Sequence, residues 1–137
     1  MHDIEANKNV CRQFFGLLGE QKYDEAMELL HDDIEWWVVG DLDTSGTYHG
    51  RKAVTGLFGL VREGCPDGLT VNFTAVTAEE DRVAIEMNSD GVLGGHKYSN
   101  VYHMLFWVRD GKIFKTHEYF DTKYTAAFVA GFNSRAA

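Results

Sequence analysis

The chain has 137 residues, 45% hydrophobic and 13% aromatic, a composition typical of one globular domain with a sizeable core. A formal net charge of −8 and scattered basic residues exclude a nucleic-acid partner, because phosphate binding needs a basic face. The acidic start lacks the apolar segment of a signal peptide, and no apolar run approaches the ~20 residues of a membrane span. We therefore expect a cytoplasmic protein whose Cys11 and Cys65 are reduced packing residues.

Helical periodicity comes first along the chain. Hydrophobic residues at helical spacing predict one helix from about Asp3 to Leu18 and a second from about Tyr23 to Leu30. A short strand with two adjacent tryptophans follows at Ile34–Val39. The segment Gly40–Gly50, rich in Gly, Asp, Thr and Ser, is typical of an exposed loop, and Arg51–Arg62 returns to the helical pattern.

After Gly68 the hydrophobic period changes from about 3.6 to about 2 residues, which predicts β-structure. Turn signals at Glu79–Asp81, Gly94–Gly95 and Asp110–Gly111 divide this region into four consecutive antiparallel strands. A short helix over Thr122–Val129 closes the chain. Because helices are segregated from a run of strands, the sequence predicts an α+β fold.

The final strand carries a dense group of candidate catalytic side chains. His117, Tyr119 and Asp121 fall on one face under ideal pleating, and Glu118 takes the opposite face. Histidine with an acidic neighbour suits a general base near neutral pH. Two alternatives remain open: His117 lies on the outer face, as the shared parity of Lys115 favours, and Asp121 caps the closing helix.

Asp90 is the second candidate carboxylate. It alternates opposite Val83, Ile85 and Met87, so it points to solvent if these three residues face the core. It lines a pocket instead if they face a dimer partner, or if a bulge near the turn reverses the alternation.

Three side chains with polar end groups, on a strand that is otherwise predicted to be buried, form a further candidate site. Tyr98, Asn100 and Tyr102 share one face, which suits either the orientation of a ligand carbonyl or hydroxyl or a hydrogen-bonded dimer interface. Trp36 and Trp37 point to opposite faces, so one of them is inside. No metal-ligand spacing and no Gly-rich phosphate loop occurs, and we expect neither a metal nor another cofactor.

Four stretches between residues 31 and 121 carry a resemblance to a known family: His31-Asp32-Asp33-Ile34-Glu35-Trp36, Gly46–Val54, Tyr98-Ser99-Asn100-Val101-Tyr102 and Asp110–Asp121. Their order and spacing resemble the nuclear transport factor 2-like (NTF2-like) superfamily, and within it the SnoaL-like polyketide cyclases and ketosteroid isomerase-related proteins. The resemblance implies a cone in which three N-terminal helices pack on a curved, mostly antiparallel sheet. It also implies a deep apolar pocket, Trp36 as the inner tryptophan, and a homodimer through the outer face of the sheet.

Two better-known relatives fit this sequence only in part. The polar catalytic positions of ketosteroid isomerase fall on or near Phe14, Val38 and Met104, so steroid isomerisation by that mechanism is not expected. The Tyr-Phe-Asp ending of limonene epoxide hydrolase matches Tyr119-Phe120-Asp121. Its Arg-x-Asp motif falls on Asn88-Ser89-Asp90, where the arginine is missing.

The sequence therefore predicts a cofactor-independent acid–base enzyme for a small hydrophobic molecule with a carbonyl or hydroxyl, of isomerase, cyclase, dehydratase or hydrolase type. Asp121 is the predicted general acid or base, with Asp90 or His117 as its partner. The predicted substrate-binding residues are Trp36, Asn100, Tyr102, Tyr119, Phe14, Phe15 and Phe58. The alternatives are a non-catalytic binding protein for a lipophilic ligand and an assembly protein whose aromatics serve oligomerisation.

Overall fold

The computed structural model describes residues 2–136 of the chain, and side chains as far as Gly131. This part of the chain forms four helices and six strands. In chain order they are α1 (Ile4–Gly19), α2 (Tyr23–Glu28), β1 (Leu30–Val38), β2 (Gly46–His49), α3 (Arg51–Gly64), β3 (Leu69–Glu79), β4 (Arg82–Leu93), β5 (His96–Arg109), β6 (Lys112–Phe120) and α4 (Thr122–Ala136). None of the helices in this described part has the length and apolar character that a bilayer crossing requires.

The six strands form one mixed sheet in the order β2-β1-β6-β5-β4-β3. The pair β1–β6 is parallel and every other pair is antiparallel. The first and last long strands of the chain are therefore neighbours in the middle of the sheet. This α+β architecture confirms the predicted fold class.

Three predictions about the helices and strands need correction. The resemblance implied three N-terminal helices, but only two helices precede the first strand, because α3 follows β2. The predicted loop contains β2, in which Tyr48 pairs with Trp36. Pairing with β1 supplies hydrogen bonds that local composition does not reveal. Strand β1 also begins at Leu30, so His31–Asp33 lies within a strand instead of ending a helix.

Helices α1, α2 and α3 each pack buried side chains against the sheet. Helix α1 begins where the Asp3 side chain accepts a hydrogen bond from the backbone N–H of Ala6 at 3.0 Å. Its inner face carries Cys11, Phe14 and Phe15, all buried. As predicted, Cys11 is a packing residue, and burial raises the pKa of its thiol to about 12.

Strand β6 contains a bulge. Trp107 of β5 pairs with Lys115, whereas Val108 pairs with Ile113, so Phe114 has no cross-strand partner of its own. An extra residue in one strand reverses the alternation of its side chains beyond that point. The second half of β6 therefore presents the opposite set of residues to the core from the set that a regular strand would present.

Candidate active site

The bulge determines which side chains of β6 face the helices. Ile113 is fully buried before it, and Thr116 is fully buried after it. Glu118 shares the inner face with Thr116, while His117 and Tyr119 point to the outer face. The only acidic side chain of β6 is therefore directed into the interior of the cone.

A partly enclosed pocket of about 120 Å³ lies between the helices and the inner face of the sheet. Most of its wall is aromatic or aliphatic, and three polar side chains interrupt it. The wall consists of Phe15, Leu18, Tyr23, Trp36, Phe58, Val61, Leu69, Val71, Met87, Met104 and the polar residues Ser89, Tyr102 and Glu118. A few polar groups in an apolar concavity are the usual composition of a small-molecule site.

Glu118 is held by a neighbouring strand. The indole N–H of Trp36 donates a hydrogen bond to Glu118 Oε1 at 2.9 Å, across the parallel pair β1–β6. Among the described residues this indole is the one hydrogen-bond partner of the carboxyl. Burial raises the pKa of Glu118 from 4.5 to about 7, and the indole hydrogen bond offsets only part of that increase. A carboxyl in this state exchanges a proton near neutral pH.

Hydroxyl groups form a chain that leads away from the pocket. Ser89 Oγ donates to the hydroxyl of Tyr102 at 3.3 Å, and the hydroxyls of Tyr102 and Tyr98 lie 3.2 Å apart. The Asn100 side-chain amide donates to Tyr98 at 2.9 Å and to Thr125 Oγ1 at 3.0 Å. Burial raises the pKa of Tyr102, so this side chain stays protonated and serves as a hydrogen-bond donor.

The two aspartates of the predicted catalytic set lie away from this pocket. Asp121 is exposed, and its Oδ1 accepts a hydrogen bond at 3.0 Å from the backbone N–H of Tyr124, so it caps α4. Asp90 is exposed on the outer face and accepts a hydrogen bond from Ser99 Oγ at 2.7 Å. Neither carboxylate lines the pocket that contains Glu118.

His117, the third member of that set, belongs to an aromatic cluster on the outer face. Its ring centroid lies 4.9 Å from that of Trp107, 5.3 Å from that of Trp37 and 6.4 Å from that of Tyr119. Burial lowers the pKa of His117, and the positive charge of the neighbouring Lys115 lowers it further. The structure does not bring His117 together with Asp90 in one pocket, and the sheet separates it from Glu118.

Four of the predicted substrate-binding residues line the pocket: Trp36, Tyr102, Phe15 and Phe58. Phe14 is fully buried behind them, with its ring centroid 6.0 Å from that of Trp36. Asn100 is buried but acts on Tyr98, as described above. Tyr119 is 41% exposed on the outer face, so its predicted contact with a substrate in the pocket does not fit its position.

Glu118 was not among the predicted catalytic residues, although alternation places it on the face opposite His117. The signal that could have found it was the parity shared by Lys115 and His117, which already favoured the outer face for both. If those two residues face water, Glu118 faces the core. A carboxylate at a core position of a strand is the stronger functional candidate, since burial shifts its pKa.

A family model for the SnoaL-like domain matches residues 11–116. The chain belongs to the SnoaL-like family. No curated protein sequence matches this SnoaL-like chain at a significant level. The match ends two residues before Glu118, so it does not include the pocket carboxyl.

Solved structures share the NTF2-like fold of this SnoaL-like protein. An NTF2-like protein from Anabaena variabilis is 25% identical, with 88% of this chain and 94% of that chain covered and a TM-score of 0.76. A putative SnoaL-like polyketide cyclase from Jannaschia is 16% identical, with coverages of 92% and 95% and a TM-score of 0.76. An epoxide hydrolase from M. tuberculosis, of the limonene epoxide hydrolase-like type, is 17% identical, with coverages of 97% and 96% and a TM-score of 0.75.

Proposed function

We propose that this SnoaL-like protein is a cofactor-independent acid–base enzyme acting on a small hydrophobic molecule with a carbonyl or hydroxyl group, and that Glu118 is its general acid–base residue. The observation that carries the proposal is one carboxyl, hydrogen-bonded by an indole, in an aromatic pocket where its pKa is about 7. This assignment replaces Asp121, Asp90 and His117 as the catalytic set.

The proposed reaction is a proton transfer next to a carbonyl. Ionised Glu118 removes a proton from the carbon beside the carbonyl, and the protonated carboxyl then returns it to the same or another atom. Because the pKa lies near neutrality, both forms of Glu118 are populated at working pH, which favours transfer in both directions. The aromatic wall excludes water, which strengthens the electrostatic interactions inside.

Tyr102 is the proposed donor to the substrate oxygen. In one consistent arrangement of protons, Ser89 and Tyr98 both donate to the hydroxyl of Tyr102, which leaves the proton of Tyr102 free for a ligand. Asn100 donates a hydrogen bond to the Tyr98 hydroxyl and so polarises the same series of hydrogen-bonded hydroxyl groups. Asn100 is thus a positioning residue, while Tyr102 stabilises the negative charge that develops on the oxygen.

The fold neighbours support a small-molecule ligand. The putative polyketide cyclase and the epoxide hydrolase described above are both named for reactions of small molecules. Such distant likeness supports a small molecule as the ligand, whereas the type of reaction is inferred from the residues of this pocket.

The proposal includes a homodimer formed through the outer face. Val101 is 62% exposed there, and Trp37, Leu105, Trp107 and Tyr119 share that face. Large apolar and aromatic side chains grouped on one exposed face are characteristic of a subunit interface. Light scattering coupled to size exclusion is expected to give twice the chain mass, and the change Val101→Asp is expected to give the monomer.

Exchange of protons for deuterium tests the proposed reaction. The protein is incubated in D₂O with neutral ketones of one, two and more rings, and loss of the signal of the protons beside the carbonyl is followed by NMR. We expect catalysed exchange for at least one ketone, and a decrease of about 100-fold or more in the Glu118→Gln variant. Exchange at the same rate in that variant contradicts the assignment, and ligand binding without exchange indicates the binding-protein alternative.

A further inference from the structure

We infer that the pocket is built for one uncharged six-membered ring carrying a single carbonyl or hydroxyl oxygen, and that larger or charged molecules are poor ligands. This inference rests on the proposed function, since it names the substrate class for the same site. The size of the pocket, the chemistry of its wall and the placement of its polar groups each support it.

The volume of the pocket limits the size of the ligand. The free space is about 120 Å³, whereas pockets for drug-sized ligands measure roughly 300–1,000 Å³. An engineered apolar cavity of about 150 Å³ holds benzene, so the enclosed part of this pocket has about the size of a single ring, and a substituent on that ring lies at the open side. Rigid contacts define the wall, because Trp36 and Phe58 meet edge to face at 5.3 Å and Phe58 also rests on Phe14 at 5.8 Å.

The wall provides nothing to neutralise an anion. Among the described residues that line the pocket, none is lysine, arginine or histidine, and Glu118 is the sole carboxylic acid among them. The guanidinium of Arg62 lies over the ring of Tyr23, 4.9 Å from its centroid, and is paired with Asp24. A carboxylate or phosphate group would enter without a counter-charge, beside Glu118 and inside a protein of formal net charge −8. An uncompensated buried charge is strongly unfavourable.

A cation is disfavoured for a different reason. The Glu118 carboxyl accepts one hydrogen bond, from Trp36, and burial raises its pKa, so its ionised form is poorly stabilised in this site. An ammonium ligand would require both ions to be desolvated before they pair, and the desolvation cost of such a pair can exceed its attraction. A neutral ligand does not incur this cost.

The polar groups are spaced for a ligand with one oxygen. Glu118 pairs with Met104 across β5–β6, and Tyr102 lies two residues from Met104 on the same face. Diagonal positions of this kind are about 7–8 Å apart at the backbone. A ring between them can direct its oxygen to the Tyr102 hydroxyl while a carbon next to the carbonyl faces Glu118.

Four matched probes test this inference on the full-length protein. They are acetophenone (one neutral ring), benzoate (an anion), benzylamine (a cation) and 2-acetylnaphthalene (two neutral rings), titrated by NMR at about pH 7.5. We expect acetophenone to bind at least about tenfold more tightly than each of the other three, a difference that is readily measured. Equal or tighter binding of any of the other three overturns the inference.

Variants of the wall localise the binding. Val71→Phe fills the pocket and is expected to weaken acetophenone binding about tenfold or more, whereas the same change at the exposed Val92 is expected to leave it within about twofold. Phe58→Leu widens the pocket and is expected to reduce the preference for one ring over two. If Val71→Phe does not fold, the Phe58→Leu result still decides the question, because unchanged size preference contradicts the inference.

Glu118→Gln separates this inference from the proposed function. Glutamine keeps the shape of the side chain without its charge, so acetophenone is expected to bind this variant within about threefold of the unchanged protein while proton exchange stops. Binding of acetophenone without exchange by the unchanged protein refutes the proposed reaction and leaves the ligand class standing. Exchange of the two-ring ketone, with no binding of acetophenone, refutes the ligand class alone.

Discussion

The two faces of β6 place adjacent ionisable residues in opposite surroundings. His117 faces outward among three aromatic rings, beside a lysine, and burial lowers its pKa. Glu118 faces inward on the pocket, and burial raises its pKa to about 7. The outer face also carries Asp90, and Asp121 follows at the end of the strand, both exposed. Access to water distinguishes the candidate catalytic residue from its neighbours here more clearly than residue type does.

The largest expected effect is on catalysis, and it compares the two faces directly. Glu118→Gln is expected to slow proton exchange by about 100-fold or more, because it removes the acid–base group. His117→Gln, Asp90→Asn and Asp121→Asn are each expected to retain the rate within about twofold, since none of these side chains lines the pocket. Initial rates of deuterium incorporation by NMR provide the measurement.

Thermal unfolding of each variant serves as the control for that comparison. A rate lost in proportion to the folded fraction reports damage to the fold. If Asp121→Asn or His117→Gln loses exchange activity while its melting curve is unchanged, the outer face takes part in catalysis and the distinction between the faces fails.

The second largest expected effect is the influence of Glu118 on how stability depends on pH. The folded-state pKa of Glu118, about 7, lies above its ordinary value of 4.5, so between these values the folded state binds more protons than the unfolded state. The stabilisation that comes from protonated Glu118 is therefore fully present below about pH 4.5 and is lost as the pH rises through about 7. It amounts to about 3 kcal/mol of unfolding free energy over that range.

Urea denaturation of the unchanged protein and Glu118→Gln at about pH 4.5 and pH 8 measures this contribution. Glu118→Gln is expected to be the more stable protein at pH 8, with the difference shrinking toward the lower pH. Glu63→Gln, an exposed position on α3, is the matched control and is expected to follow the unchanged protein at both pH values. A Glu118→Gln variant that loses stability equally at both pH values would contradict the burial argument.

A smaller effect concerns the end of β6, where Asp121 caps α4. Asp121→Ala removes the acceptor for the backbone N–H of Tyr124 and is expected to cost about 1 kcal/mol of stability. Proton exchange is expected to stay within about twofold. Equilibrium unfolding and initial rates give the two values, and Asp121→Ser, which restores a capping oxygen, is expected to recover most of the stability.

The smallest effect expected is at Thr116, on the inner face two residues before Glu118. Its Oγ1 is the one buried side-chain polar atom without a hydrogen-bond partner among the described residues. Thr116→Val replaces an unsatisfied hydroxyl by a methyl group of similar shape and is expected to raise the unfolding free energy by up to about 1 kcal/mol. A loss of stability on this change would indicate that the hydroxyl has a partner, such as a buried water.

Most of the fold follows from the sequence, because amphipathic periodicity and turn residues define the helices and the antiparallel strands. Strand β2 does not, since its four residues are held by pairing with β1 and not by their own pattern. The site depends on a single bulge at Phe114, where the buried positions change from Ile113 to Thr116. Alternation relates His117 to Glu118, and the parity shared with Lys115 favours Glu118 as the inner residue, but Ile113 has that same parity, so the bulge is needed to place Ile113 and Glu118 on one face.

The place of β6 between β1 and β5 also bears on when the site comes into being during synthesis. The indole and the carboxyl that it holds are 82 residues apart, and the strand carrying the carboxyl is synthesised after both of its neighbours in the sheet. Until it emerges, β1 and β5 have unpaired edges, and contacts of such long sequence separation form slowly. A nascent chain of this protein therefore acquires its candidate site and joins the two parts of its sheet in the same step.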